Sequence, residues 1–174
     1  MARFRPVRKT RDFRYYCLMS SPFWLAAAAS QGLNAQLNLN ATDLATLRTA
    51  IGQVNASSTN DTITISAVTI NLTGTTDAGA ANHTTGDLDI TKAAGTLTII
   101  GAGAGSTIID GQDIDRVFHI NNGANAPVTI QNLTIRNGRA LDQGSAAGES
   151  RGGGIMKEGA GALTLTGVTL SANE

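Results

Sequence analysis

The stretch VTIQNLTIRNG at 128–138 recurs 35 residues later as LTLTGVTLSAN at 163–173. Each copy holds two short runs in which apolar residues alternate with polar ones, the pattern of a half-buried β-strand. The alternation slips by one position in the middle, so both runs face one interior only if the chain turns a corner there. Asn132 and Gly167 occupy the corner, and both residue types tolerate a left-handed backbone. Each repeat therefore predicts two strands joined by a tight corner. Successive repeats are expected to wind into a coil in which the strands stack on one another.

Weaker copies of this repeat come earlier in the chain. LTIIG at 97–101 matches the first strand and places Gly101 at the corner, where we also expect a positive φ. STIID at 106–110 follows as the strand after that corner. A third strand per coil is predicted from LDIT (88–91), RVFHI (116–120) and GGGIM (152–156). The predicted coils run over about 88–115, 116–151 and 152–174, after a partial coil at 61–74.

A helix at about 43–55 is predicted before the first coil, with Thr42 or Asp43 as its N-cap. Its apolar residues fall at helical spacing and form one stripe. A stack of strands exposes its edges and apolar interior at the end, and solenoids need terminal caps. We therefore interpret this helix as a cap, the alternative being an ordinary surface helix. The stripe consists of Leu44, Leu47, Ile51 and Val54.

The first 35 residues have the pattern of a secretory signal. Six basic residues and one acidic residue lie within the first 14, and an apolar stretch over 15–29 ends in four alanines. This stretch is too short to span a bilayer, which takes about 20 apolar residues. We predict a signal peptide at 1–35, cut between 29 and 35, the alternatives being an uncleaved anchor or a disordered tail.

Residues 36–174 are predicted to form one acidic domain without disulfides. Seven basic and twelve acidic residues lie in this part, a net formal charge of −5, and the single cysteine, Cys17, precedes it. An acidic domain lacks the basic stripe of a nucleic-acid binder. Aromatic residues make up 4% of the chain and glycine accounts for 20 positions, which indicates many turns rather than an aromatic core.

The densest group of polar residues consists of Asp110, Asp113 and Asp115, followed by Arg116 and His119. Several carboxylates close together would suit Ca²⁺, which prefers oxygen ligands. Aspartate is also a frequent turn residue, and a turn is expected here. The three aspartates are therefore weak candidates for a Ca²⁺ site, and the sequence otherwise indicates no cofactor.

Two motifs give the chain a family resemblance. ATLRTAI at 45–51, followed by DTITI at 61–65, resembles the N-terminal signature of the CSLREA-domain family of exported β-helix proteins. Leu47, Arg48, Ala50 and Ile51 match that signature, whereas Ala45 stands where the family has cysteine. GGGI at 152–155 and the Leu170-x-x-Asn173 spacing are similar to repeats of polymorphic outer-membrane proteins.

The resemblance covers about 43–174 and implies a fold and a location. The fold is a right-handed single-stranded parallel β-helix of the pectin-lyase type with an N-terminal capping α-helix, so the fold class is all-β. The location is outside the cell, either secreted or at the cell surface or outer membrane.

The function expected from these features is that of a non-catalytic surface scaffold of adhesin or passenger type, binding a surface glycan or a host protein. The alternative is a polysaccharide lyase or glycoside hydrolase acting on acidic glycans, because fold alone does not decide between them. Trp24 is the single tryptophan and lies in the signal, so the domain lacks a tryptophan platform for sugar, which favours the scaffold.

The end of the sequence suggests one further expectation. Glu174 follows directly after a strand, without a second amphipathic segment. We therefore expect an open last coil that takes further β-helix coils or self-associates, and a chain that is the N-terminal part of a longer solenoid.

Overall fold

The structure, a computed structural model, describes residues 35–74, 83–140 and 152–174. The predicted signal peptide lies outside the described residues except for Ala35. The described part contains one helix and twelve short strands. They are β1 (Asn38–Ala41), α1 (Leu44–Ala56), β2 (Asp61–Ile65), β3 (Thr69–Asn71), β4 (Leu88–Ile90), β5 (Leu97–Ile100), β6 (Ile108–Asp110), β7 (Phe118–Ile120), β8 (Val128–Gln131), β9 (Thr134–Arg136), β10 (Ile155–Lys157), β11 (Leu163–Thr166) and β12 (Thr169–Ser171).

The strands form three sheets, and every pair of neighbouring strands is parallel. Sheet 1 has the order β1-β2-β5-β8-β11, sheet 2 the order β3-β6-β9-β12 and sheet 3 the order β4-β7-β10. The chain visits the sheets in rotation, and we call one passage through sheets 3, 1 and 2 a coil. The described coils are β4-β5-β6, β7-β8-β9 and β10-β11-β12. The fold is therefore largely β, built from parallel sheets with one helix.

The repeated sequence places like residues beside each other in successive strands. In sheet 1, Ile63, Ile99 and Ile130 are successive register partners, and all three are fully buried. In sheet 2, Ile109 pairs with Ile135, and both are also fully buried. Alternate residues of a strand face opposite sides of the sheet, so these isoleucine rows form the core and the threonines between them face outward.

The two corners of the sequence repeat have left-handed backbones. The φ angle is +55° at Asn132 and +61° at Gly167. The expectation of a positive φ at Gly101 is wrong, because the positive φ in that loop lies at Gly103 instead. Gly101 is glycine for a steric reason: a Cβ there would lie 2.4 Å from the carbonyl oxygen of Asn132 in the next coil.

Helix α1 packs on β1, β2 and β4. It begins with a capping box, in which the Asp43 side chain accepts from the Thr46 amide and the Thr46 hydroxyl accepts from the Asp43 amide. Leu47, Ile51 and Val54 are fully buried, whereas Leu44 is only partly buried against the core.

The helix also contacts β4, the strand at the edge of sheet 3 among the described residues. The Asn55 side chain donates to the carbonyl oxygen of Asp89 at 2.8 Å and accepts from the amide of Thr91 at 3.0 Å. A side-chain amide here satisfies backbone groups that a neighbouring strand would otherwise satisfy. The polar contact and the apolar stripe together close this end of sheet 3.

Candidate functional site

The three aspartates proposed as Ca²⁺ ligands lie in different environments. Asp110 ends β6 and is buried, where its carboxylate accepts from Arg136 Nε at 2.7 Å and from the Asn137 side-chain amide at 3.0 Å. Asp113 is exposed with a φ of +56°. Asp115 is buried and accepts from the backbone amide of Arg116 at 2.8 Å. In the described part of the chain, the residues close enough to hold an ion together are different ones.

That group consists of Asp87, Asp89 and His119, and all three are buried. The ligand atoms they offer, one carboxylate oxygen each and one imidazole nitrogen, lie within 4.8 Å of one another. Asp89 lies in the middle of β4 and His119 in the middle of β7, and the two are register partners. Their flanking residues Leu88 and Phe118 belong to the core, so Asp89 and His119 face the outside of sheet 3.

His119 lies between two carboxylates, one at each ring nitrogen. Its Nδ1 is 2.8 Å from Asp89 Oδ1, and its Nε2 is 2.9 Å from Glu158 Oε2. The hydrogen bond with Asp89 raises the pKa of His119 above the ordinary value of 6.5; burial of the ring opposes this rise, and the bond with Glu158 adds to it. The side chain of Glu158 is 29% exposed, so Glu158 marks the side of the cluster nearest to solvent.

Two arginines hold Asp87 in place. Arg116 Nε lies 2.7 Å from Asp87 Oδ2, and both side chains are buried. Arg48 of helix α1 donates to the carbonyl oxygens of His83, Gly86 and Asp87 at 2.6–3.0 Å. Arg48 thereby fixes the backbone that leads into β4. Arg48, which the sequence showed only as a match to the family motif, thus supports this cluster.

Arg116 and His119 stood out in the sequence, whereas Asp87 and Asp89 were not predicted as site residues. The signal was present in the third strand of each coil, because aligning LDI at 88–90 with FHI at 118–120 sets Asp89 beside His119. Grouping the residues by distance along the chain favoured Asp110, Asp113 and Asp115 instead. In a stack of strands, residues about 30 positions apart are neighbours, so the register matters more than the local sequence.

A second buried ion pair joins the cap to the first strands. Lys92 Nζ is 2.7 Å from Asp61 Oδ2, and neither side chain is exposed. Lys92 also donates to the carbonyl oxygens of Val54 and Ser57 at the end of α1. Asp61 in turn accepts from the backbone amide of Leu37 at 2.9 Å. This pair ties α1, β1 and β2 together.

We expect the protein to lose stability in acid because of Asp61 and Asp110. Burial alone would raise the pKa of each carboxyl, but hydrogen bonds to the ionised forms outweigh it and lower both pKa values below 3.8. The contribution of each is complete above the unfolded-state pKa and is lost as the pH falls through the folded-state pKa. Thermal melting followed by circular dichroism should therefore give a lower Tm at pH 3 than at pH 6. Asp110→Asn should reduce the difference in Tm, and an unchanged difference would contradict the assignment.

Comparisons with protein-family models, with curated proteins and with solved structures return no significant match for this chain. Across residues 35–74, 83–140 and 152–174, the structure has no helix with the length and hydropathy needed to cross a membrane.

Proposed function

We propose that this chain is an exported, non-catalytic scaffold, a right-handed parallel β-helix of adhesin or passenger type located at the cell surface or secreted. The parallel sheets and the rotation of the chain through them support the helical winding. Export rests on the cationic and apolar pattern of the first 35 residues. The scaffold role rests on the surface that β10, β11 and β12 present within the described residues.

The observation that carries the proposal is the exposure of two leucines in the last coil. Leu165 pairs with Ile130 and Leu170 pairs with Ile135, so both leucines continue the core rows. The isoleucines are fully buried, whereas Leu165 is 40% exposed and Leu170 is 52% exposed. Within the described residues, the apolar interior of the stack is therefore exposed on this side. An edge of unpaired strands with an apolar interior is a template for additional strands.

The backbone of the last coil offers the same opportunity. Strands β10, β11 and β12 each have a described neighbour on one side only. A groove of about 480 Å³ lies between the start of β10 and the end of β12, lined by Gly152–Ile155 and Leu170–Glu174. Further parallel strands placed on this edge would pair with the three strands and cover the groove between β10 and β12. A scaffold that grows or assembles by stacking coils needs such a surface.

Self-association of residues 36–174 tests this proposal. Sedimentation velocity at tens of micromolar is expected to show oligomers, because Leu165 and Leu170 become buried when two open ends meet. Leu165→Gln/Leu170→Gln should weaken association by about tenfold or more, since each lost apolar contact costs about 1–2 kcal/mol. Thr164→Gln/Thr169→Gln, which changes the outward face of the same strands, is the matched control and should still associate. A stable monomer of the unsubstituted chain would contradict the open-end surface.

An activity assay separates the scaffold from the enzyme alternative. Acidic polysaccharides incubated with the protein and Ca²⁺ should release no unsaturated sugar, since Asp110, Asp113 and Asp115 do not converge in the structure. Product release that Asp113→Ala abolishes would support the polysaccharide-lyase alternative instead. A glycan array then tests whether the scaffold binds a surface glycan.

A further inference from the structure

We propose that Asp87, Asp89 and His119 form a binding site for a divalent transition-metal ion, with Zn²⁺ as the ion that fits the ligands best. One imidazole nitrogen and two carboxylate oxygens are a ligand set that Zn²⁺ accepts, whereas Ca²⁺ and Mg²⁺ favour oxygen alone. The site is separate from the open end of the stack. The ion would bridge two adjacent strands of sheet 3 and the segment before them.

An unsatisfied oxygen points to an ion. Asp89 is 1% exposed, and its Oδ1 faces His119, but its Oδ2 is buried and has no hydrogen-bond partner in the structure. A buried carboxylate oxygen without a partner costs free energy, and native structures normally satisfy such atoms. A cation placed between Asp87, Asp89 and His119 would supply the missing partner.

The distances leave little to rearrange. Zn²⁺ binds nitrogen and oxygen at about 2.0–2.2 Å, so two ligands of a tetrahedral site lie about 3.4 Å apart. The three ligand atoms already lie within 4.8 Å of one another. Movements of the order of 1 Å by buried side chains would close the site. The backbone that carries two of the ligands is fixed by the register of β4 and β7.

The surrounding residues have the arrangement expected around metal ligands. In metal-bound histidines the N–H of the second ring nitrogen commonly donates a hydrogen bond to a carboxylate, which fixes the tautomer. Glu158 Oε2 lies 2.9 Å from His119 Nε2 and can accept a hydrogen bond from its N–H. The other ring nitrogen, Nδ1, then faces Asp89 and the ion. Arg116 holds Asp87 from the side at 2.7 Å. Glu158 is a positioning residue on the partly exposed side of the cluster.

Zinc titration of the full chain tests the proposal. After treatment with a chelator, isothermal titration calorimetry should show one Zn²⁺ bound per chain. Asp89→Asn and His119→Gln should abolish this binding, and Glu158→Gln should weaken it by about 10–100-fold. His83→Gln is the matched control and should bind like the unsubstituted chain. Circular dichroism of each variant shows whether the fold is retained.

A spectroscopic measurement tests Zn²⁺ binding at His119 without any substitution. The chain has two histidines, His83 and His119, so ¹⁵N NMR of its imidazoles is simple to assign. Zn²⁺ should shift the Nδ1 resonance of His119 and leave His83 unchanged. Absence of one-to-one binding, a shift confined to His83, or equally tight Ca²⁺ binding that persists in His119→Gln would overturn the proposal.

Discussion

Lys92→Met is expected to lower the free energy of unfolding by about 3–5 kcal/mol, because removal of one partner leaves a buried charge uncompensated. The remaining charge is Asp61, which is 1% exposed and lies 2.7 Å from Lys92 Nζ. The substitution also removes one donor from each of the carbonyl oxygens of Val54 and Ser57. The Val54 oxygen keeps the backbone amide of Ser57 as its second donor. Methionine keeps most of the side-chain volume. The decrease in the free energy of unfolding therefore measures the loss of the charge and the hydrogen bonds rather than the formation of a cavity. Urea unfolding followed by circular dichroism measures the change.

Two comparisons make this result specific. Lys157→Met removes an exposed lysine and should change the free energy of unfolding by no more than about 0.5 kcal/mol. Lys92→Met/Asp61→Asn removes both charges and should be less destabilised than Lys92→Met alone, because no buried charge remains. If Lys92→Met unfolds at the same urea concentration as the natural chain, the ion pair is not buried as described.

Leu47→Ala is expected to destabilise the fold by about 2–5 kcal/mol, the range for truncating a fully buried leucine. Leu47 is fully buried in the core cluster that also contains Ile51 and Val54. Truncation would leave a cavity between α1 and the first strands, at the point where the helix covers the stack. The loss should appear as a lower urea midpoint with an unchanged slope.

Gln53→Ala is the matched control for Leu47→Ala, because Gln53 is exposed on the same helix and alanine suits a helix. This substitution should leave the free energy of unfolding within about 0.5 kcal/mol of the natural value. Equal effects of the two substitutions, or no effect of Leu47→Ala, would show that α1 does not act as a cap.

Most of the strand stacking could be predicted from the sequence because each strand carries a recurring alternation of apolar and polar residues. The alternation over 128–138 and its slip at Asn132 specify two strands and a left-handed corner. Gly101 shows the limit of this reasoning. Glycine serves either an unusual φ or a close approach of another backbone, and the sequence does not distinguish them. Here the close approach comes from Asn132 in the neighbouring coil.

The candidate site was harder to predict than the fold because its residues meet across coils. Asp89 and His119 are 30 positions apart, and their contact depends on the register of β4 and β7. The aspartates at 110, 113 and 115 are close along the chain, but turns separate their side chains. The burial of Asp89 and His119 could not be predicted from the sequence either, since a polar residue between two apolar ones in a strand normally faces solvent. Asp89 and His119 face outward from sheet 3 and are nevertheless buried.

The central feature of the fold is a winding of the chain that stacks residues 129 and 164 as neighbours. Thr129 and Thr164 are register partners on adjacent parallel strands, which lie about 4.8 Å apart, within disulfide reach. In a Cys17→Ser background, Thr129→Cys/Thr164→Cys should form an intramolecular disulfide on mild oxidation, as seen by mass spectrometry of a proteolytic digest. Thr129→Cys/Leu165→Cys, whose side chains face opposite sides of sheet 1, should remain reduced. Failure of the 129–164 pair to link, or equal linking of both pairs, would contradict the stacked winding.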